Sequence, residues 1–93
     1  MNLKAEIVES IGKIARECGV KKVILFGSRA RGNNRERSDI DLAFEGGNSS
    51  RFALDVDEFT PTLLKFDFVD LSTAKEAILK EIEKDGVILY EQT

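Results

Sequence analysis

The first twenty residues carry apolar side chains at steps of three or four, the spacing of one buried helical face. The members of this series are Leu3, Ile7, Ile11, Ile14 and Cys18. Asn2 is a suitable N-terminal cap, and Gly19 can end the helix in a left-handed conformation. The pattern predicts a first helix across this stretch.

Two patterns of strand length follow. Residues 23–26 are uniformly apolar and too few for a helix, which predicts a strand buried on both faces. Gly27 and Ser28 end it, and a short helix can form over residues 28–31 before a glycine and asparagine loop. Residues 39–44 then alternate with a period of two, so Asp39 and Asp41 share one face of a second strand.

A glycine, asparagine and serine linker at residues 46–50 precedes the next helical pattern, and its serines can cap that helix. Apolar spacing from Phe52 to Leu63 predicts the helix, and Pro61 should end it near Phe59. A third strand is expected at residues 66–71.

The last third of the chain predicts one more helix and one more strand. The residues from Thr73 to Glu76 have the form of a capping box, so a helix should start there, and Gly86 should stop it. Residues 87–90 form a fourth strand. This order of elements predicts an α/β (α+β) fold, in which helices pack against a mixed sheet of about four strands. With 93 residues, a single domain spanning 1–93 is expected.

Composition narrows the class of protein. The chain is 42% hydrophobic and 33% charged, as in soluble globular domains, and its net charge of −3 argues against direct nucleic-acid binding. Cys18 is alone, which excludes an intrachain disulfide and fits a reducing compartment. Neither a signal peptide nor a membrane span is recognisable. We therefore expect a cytoplasmic location, and a core this small makes association with itself or with a partner plausible.

The bend after the first strand has the chemistry of a phosphate site. Gly27 lets a phosphate approach the backbone, the Ser28 hydroxyl is a donor, and amide groups at the start of the next helix favour an anion. Arg29 and Arg31 lie near the same mouth, although their alternate positions can turn one of them away. The bend predicts a site for a phosphorylated ligand.

Asp39 and Asp41 follow Ser28 after ten intervening residues. Two neighbouring carboxylates repel each other, and a hard divalent cation with oxygen ligands relieves that repulsion. Mg²⁺ that bridges carboxylates to substrate phosphates serves phosphoryl and nucleotidyl transfer.

This arrangement resembles the signature of the DNA polymerase β-like nucleotidyltransferase superfamily. Its fuller string, Phe-Gly-Ser-Arg-Ala-Arg-Gly and then Ser-Asp-Ile-Asp-Leu, is similar to that of the minimal nucleotidyltransferase branch, which includes antitoxins. The resemblance covers residues 23–44 strongly and the remainder by element order. It implies a polymerase β-like nucleotidyltransferase fold and a third carboxylate on the next core strand. Asp67 matches that position, and Asp70, which points to the opposite face, is the competitor.

The resemblance also implies roles. The residues it assigns to catalysis and to two Mg²⁺ ions are Asp39, Asp41 and Asp67. Those it assigns to nucleotide binding are Gly27, Ser28, Arg29 and Arg31. The implied reaction transfers AMP from ATP to a protein hydroxyl, with a HEPN-domain ribonuclease toxin as partner and this chain as its antitoxin.

Two alternatives stay open. The chain can be a binding module that neutralises its partner by complex formation, with the carboxylates a retained but idle metal site. It can also modify a small molecule, as aminoglycoside nucleotidyltransferases do, but those relatives carry a second domain that helps to bind the drug.

Overall fold

The computed structural model describes residues 1–93, which form four helices and four strands. In chain order these are α1 (Ala5–Glu17), β1 (Lys22–Phe26), α2 (Gly27–Arg31), β2 (Ile40–Glu45), α3 (Ser49–Phe59), β3 (Phe66–Asp70), α4 (Glu76–Asp85) and β4 (Val87–Glu91). The predicted order of elements is confirmed, including the short helix at the glycine-serine bend. None of the helices combines the length and the apolar character needed to cross a membrane.

The four strands form one mixed sheet in the order β3-β2-β1-β4. Strand β1 lies antiparallel to β2 and to β4, whereas β2 and β3 run parallel. Parallel neighbours need a crossover connection, and α3 supplies it between β2 and β3. The predicted α+β class with a mixed sheet is confirmed, and the two strands that carry the acidic residues are neighbours.

Helices cover both faces of the sheet, but unequally. One face packs against α1 and α3 and contains the main core, where Ile11, Leu25, Leu42 and Phe52 are fully buried. A smaller cluster of Phe26, Ala43 and Ile82 lies on the other face, against α4. Strand β1 is therefore covered on both faces, as predicted. Asp41 points toward the face with this smaller cluster, because it lies two residues from Ala43 on β2 and alternate residues of a strand share one face.

The predicted cap of α1 is wrong. The helix begins at Ala5 after Lys4, and no side chain caps it. Asn2 instead joins the α2 region, since its backbone N–H donates to the carbonyl of Arg29 at 2.9 Å and its side-chain amide donates to Asn34 at 3.0 Å. The N-terminal residues are thereby tied to the loop that precedes β2.

Two other helix starts also differ from prediction. Asn48, not a linker serine, caps α3, and its side-chain oxygen accepts from the N–H of Arg51 at 3.2 Å. Helix α4 begins one residue after Lys75 without a side-chain cap, so the predicted capping box does not form. Thr73 lies in a turn, where its hydroxyl donates to the carbonyl of Asp70 at 3.4 Å.

The predicted helix ends are confirmed. Gly19, directly after the C-cap of α1, has a φ of +72°, and α3 ends at Phe59, two residues before Pro61. Gly86 ends α4 with an extended backbone, and its N–H donates to the carbonyl of Ile82. Leu63 continued the apolar spacing of α3 in the sequence but lies beyond the helix, with its side chain fully exposed.

Candidate active site

Gly27 turns the chain from β1 into α2 at a place that strongly favours glycine. Its φ is +75°, a conformation that L-residues adopt at a cost of about 1–2 kcal/mol. A Cβ on Gly27 would also overlap the Oδ2 atom of Asp41. The carboxylate of Asp41 therefore lies directly against the bend. No side chain caps the first turn of α2, so its amide groups stay available to a ligand.

Strand register brings Asp41 and Asp67 together. The two residues are direct partners in the parallel pairing of β2 and β3, so their side chains leave the same face of the sheet. The two carboxyl groups are close enough for the charge of Asp67 to act on Asp41.

The ionisation of Asp41 shows how strongly this corner concentrates negative charge. Burial, followed by the charges of Asp67, Asp39 and Glu81, raises the pKa of Asp41 from 3.8 to about 6. All of these causes act in the same direction. Near neutral pH the site therefore concentrates negative charge, and Asp39, Asp41 and Asp67 take part in none of the ion pairs of the chain.

Asp39 lies just before β2 and is exposed, whereas Asp41 is half-buried within the strand. Asp39 is close enough to Asp41 for its charge to raise the pKa of Asp41. As the side chains stand, however, no three acidic, cysteine or histidine residues converge tightly enough to hold an ion. The structure brings the three predicted ligands to one corner without arranging them as a closed cage.

Asp70, the competitor for the third ligand position, lies at the other end of β3. It is in register with Phe44, three residues from Asp41 along β2. Its carboxylate accepts hydrogen bonds from the N–H and the hydroxyl of Ser72 at 2.9 and 2.7 Å, and these bonds lower the pKa of Asp70. The geometry therefore favours Asp67 as the third member of the acidic group.

Arg29 is buried and turned toward the protein. Its guanidinium donates to three backbone carbonyls, those of Glu36 at 2.9 Å, Ser38 at 3.0 Å and Asn2 at 3.3 Å. Ser38 directly precedes Asp39. This arrangement favours a positioning role over the phosphate contact predicted from the sequence, because the side chain holds the loop that presents Asp39.

Arg31 remains near the mouth of the site. Its guanidinium lies 3.4 Å from Glu81 and 3.6 Å from Asp85, both on α4. Exposed ion pairs of this kind contribute only about 0–1 kcal/mol, so they leave Arg31 able to exchange its partners for a phosphate. Glu81 was not recognised in the sequence as a site residue. Only the packing of α2 against α4 brings it near Asp41.

The donor set fits a hard divalent cation. All the groups at the corner are carboxylate oxygens, the ligand type that Mg²⁺ prefers, and their mutual repulsion is what a cation removes. Asp39, Asp41 and Asp67 are the residues that would hold it. The start of α2, which no side chain caps, lies directly beside these carboxylates, because Asp41 packs against Gly27.

Fold and site together define a nucleotide-transferring domain of a known type. A sequence profile described as "Polymerase beta, Nucleotidyltransferase" matches residues 9–93, so the chain belongs to this family. The implied family and fold are thus confirmed.

A curated relative from Methanocaldococcus jannaschii, whose name provisionally assigns it protein adenylyltransferase activity, is 44% identical over 50 residues. The match covers 54% of the chain and 48% of the relative, so the chain spans about half of that protein's length.

Solved structures share the fold. A toxin-antitoxin complex with AMP-PNP contains a chain that superposes with a TM-score of 0.75 at 22% identity, covering 92% of the present chain and 74% of the other. A structure of a tri-AMPylated Shewanella oneidensis HEPN toxin with its MNT antitoxin gives 0.65 at 20% identity, covering 92% and 71%. A structure named as a minimal nucleotidyltransferase gives 0.69 at 23% identity and covers 86% of each chain. At these identities the likeness concerns the fold.

Proposed function

We propose that the chain is a Mg²⁺-dependent nucleotidyltransferase that transfers AMP from ATP to a hydroxyl of a partner protein. The observation that carries this proposal is the register pairing of Asp41 with Asp67, on the face of the sheet where the carboxylate of Asp41 lies directly against the bend at Gly27. The family match and the provisional name of the curated relative support the reaction type.

In this proposal each residue has a separate task. The backbone at Gly27 and Ser28 binds the triphosphate, with Arg31 as a mobile counter-charge at the mouth. Asp39, Asp41 and Asp67 would hold Mg²⁺, with two ions expected, which would supply charge stabilisation at the phosphate oxygens. Asp67 accepts the proton of the attacking hydroxyl. The hydroxyl oxygen bonds to the α-phosphorus, the bond from that phosphorus to the β-phosphate bridge oxygen breaks, and pyrophosphate leaves.

The proposed partner is a HEPN-type ribonuclease toxin, with a tyrosine as acceptor and the present chain as antitoxin. Structural neighbours support this choice, because two of them are toxin-antitoxin complexes and one contains an AMPylated HEPN toxin.

The test is an incubation with labelled ATP, Mg²⁺ and the co-encoded HEPN protein. We expect label on the partner and none with the variant Asp39→Asn/Asp41→Asn. The exposed pair Asp57→Asn/Glu58→Gln on α3 makes the same charge change away from the site and should leave labelling intact. If the wild-type chain binds Mg²⁺ and ATP but leaves every partner unlabelled, transfer is refuted.

A second candidate is a non-catalytic antitoxin that acts by covering its partner. The observation in its favour is that the carboxylates do not stand as a closed three-ligand group. This candidate predicts that Asp39→Asn/Asp41→Asn neutralises the toxin as well as the wild-type chain does. Relief of toxicity in cells that express each variant distinguishes the two.

A further inference from the structure

A cleft opens beside Asp39, on the side away from the glycine bend. Its volume is about 540 Å³, and its lining residues are Arg37, Asp39, Leu63, Leu64 and Lys65. Through Arg37, Leu63 and Leu64 it adjoins a second cleft of about 760 Å³ that reaches Lys4 and the start of α1. We refer to the two adjoining clefts as the channel; one end of it lies at Asp39, a member of the acidic corner formed by Asp39, Asp41 and Asp67.

The position of this channel suggests what enters it. Gly27 follows β1, which lies on one side of β2 in the sheet. Residues 63–65 lead into β3, which lies on the other side of β2. Asp39 and Asp41 lie between them. In phosphoryl transfer the attacking and leaving oxygens are roughly in line, so they lie on opposite sides of the phosphorus. With the triphosphate at the glycine bend, the cleft lies on the side of Asp39 from which an in-line attacking group would come.

The channel carries exposed basic side chains, whereas the chain as a whole is acidic. Arg37, Lys65 and Lys4 are exposed and take part in none of the five ion pairs of the chain. Glu36 and Asp39 are the acidic residues of the lining. A region with three unpaired cations in a chain of net charge −3 is a local basic surface.

An apolar contact is also available. Leu63 is fully exposed, and Leu64 beside it is half-buried. Both lie between Pro61 and β3, at the junction of the two clefts. An exposed leucine within a basic channel suits a ligand that combines negative charge with an apolar side chain.

We propose that this channel docks the acceptor: an acidic protein segment with an apolar side chain next to the hydroxyl that receives the nucleotide. Arg37 and Lys65 bind its carboxylates, Leu63 contacts its apolar residue, and the hydroxyl reaches the acidic corner past Asp39. The inference rests on the proposed function for the role of that corner, but it makes a binding claim that can be measured without any transfer.

The probe is a fluorescent seven-residue peptide with glutamates and leucines around one tyrosine, followed by polarisation in EDTA without nucleotide. A second peptide has lysine in place of each glutamate. We expect the acidic peptide to bind at least tenfold more tightly than the basic one. In Arg37→Glu/Lys65→Glu this preference should disappear, and Leu63→Ser should weaken binding of the acidic peptide several-fold.

The control variant is Lys13→Glu/Arg16→Glu, which makes the same charge change on the exposed side of α1 and should bind both peptides as the wild type does. Binding of Mg²⁺ and ATP, measured by calorimetry, should be equal in the wild type and in Arg37→Glu/Lys65→Glu. Loss of nucleotide binding in that variant would assign the channel to the triphosphate and overturn the proposal. So would equal binding of the two peptides, or a single-stranded oligonucleotide that binds the channel more tightly than the acidic peptide.

The two proposals can fail separately. A wild-type chain that binds the acidic peptide through Arg37 and Lys65 but binds no ATP refutes the transferase and leaves the docking channel standing. A chain that labels its partner at the same rate and with the same KM for the partner after Arg37→Glu/Lys65→Glu keeps the transferase and loses the channel.

Discussion

At the scale of single residues, Gly27 combines two constraints that can be separated by a matched control. Gly27 and Gly32 have similar φ values, +75° and +80°, but a Cβ on Gly27 meets Asp41 whereas a Cβ on Gly32 meets nothing within 4 Å. A residue other than glycine would therefore be strained by the positive φ at both positions. Only at position 27 would its side chain also clash with the carboxylate of Asp41.

We expect Gly27→Ala and Gly32→Ala each to lower the free energy of unfolding by about 1–2 kcal/mol through the strained φ. Only Gly27→Ala should also slow transfer, on the order of 100-fold, because displacement of reacting groups by about 1 Å has that effect. Urea denaturation and labelling assays measure the two quantities. Equal loss of activity in both variants would show that the contact with Asp41 has no functional weight.

Arg29 and Arg31, two residues apart, should differ sharply in stability. Arg29→Met leaves three backbone carbonyls without their charged donor, which should cost on the order of 3 kcal/mol. Arg29→Lys should recover only part of this, since one ammonium group cannot reach all three acceptors. Arg31→Met breaks exposed ion pairs and should cost less than about 1 kcal/mol. Similar costs for both methionine variants would contradict the positioning role.

The raised pKa of Asp41 predicts how the stability of the metal-free protein depends on pH. The ordinary value is 3.8 and the folded value about 6, so between these the folded state holds a proton that the unfolded state releases. Stability therefore falls as pH rises from about 4 to 6 and stays lower above that. Asp41→Asn removes this loss, so in EDTA it should raise the Tm above pH 6, by an amount that shrinks toward pH 4.

Thermal melts across this pH range provide the check, with Asp57→Asn as a control on the exposed side of α3. A constant offset between Asp41→Asn and the wild type at every pH would mean that packing, and not ionisation, explains the difference.

At the scale of elements, the parallel pairing of β2 and β3 decides which acidic residue of β3 serves the site. Asp67 is the register partner of Asp41, whereas Asp70 pairs with Phe44 and is occupied by Ser72. We expect Asp67→Asn to lower transfer by about 10²–10⁴-fold, the usual contribution of a proton-accepting group. Asp70→Asn should transfer AMP at the wild-type rate. The reverse order of activities would reassign the third carboxylate.

The elements that could be predicted from sequence are those whose signal is local. The apolar spacing of α1, the uniform run of β1 and the alternation of β2 each lie within one element, and all three were found. Helix starts were predicted less well, because a polar side chain near a helix start can bond either to its own helix or to a distant residue. Asn2 is an example. In the structure it bonds to Asn34, thirty-two residues away, rather than to its own helix.

The site shows the same division. Gly27, Asp39 and Asp41 lie on consecutive elements and could be related by spacing alone. The choice between Asp67 and Asp70 needed the register of two strands, and the separate roles of Arg29 and Arg31 needed their tertiary partners. The channel around Leu63 could not be predicted from the sequence. Leu63 continues the apolar spacing of α3, which suggests a buried position, but the helix ends at Phe59 and leaves its side chain exposed.

At the scale of the whole molecule, a small core makes ligand binding a large fraction of total stability. Only 20 of the 93 residues are buried, and one face of the sheet has a cluster of three. A ligand at 100 times its Kd stabilises the folded state by about 2.7 kcal/mol. In a domain of this size each kcal/mol moves the Tm by roughly 4–8 °C.

Mg²⁺ and ATP together at saturation should therefore raise the Tm of the wild-type chain by about 10–20 °C. EDTA should abolish this rise, because the triphosphate cannot approach three uncompensated carboxylates without a cation. The variant Asp39→Asn/Asp41→Asn should start from a higher Tm in the absence of ligand and gain little from Mg²⁺ and ATP. An equal rise in both proteins would show that the nucleotide binds elsewhere on the molecule. Asp39, Asp41 and Asp67 would then be a group of mutually repelling carboxylates that binds no nucleotide.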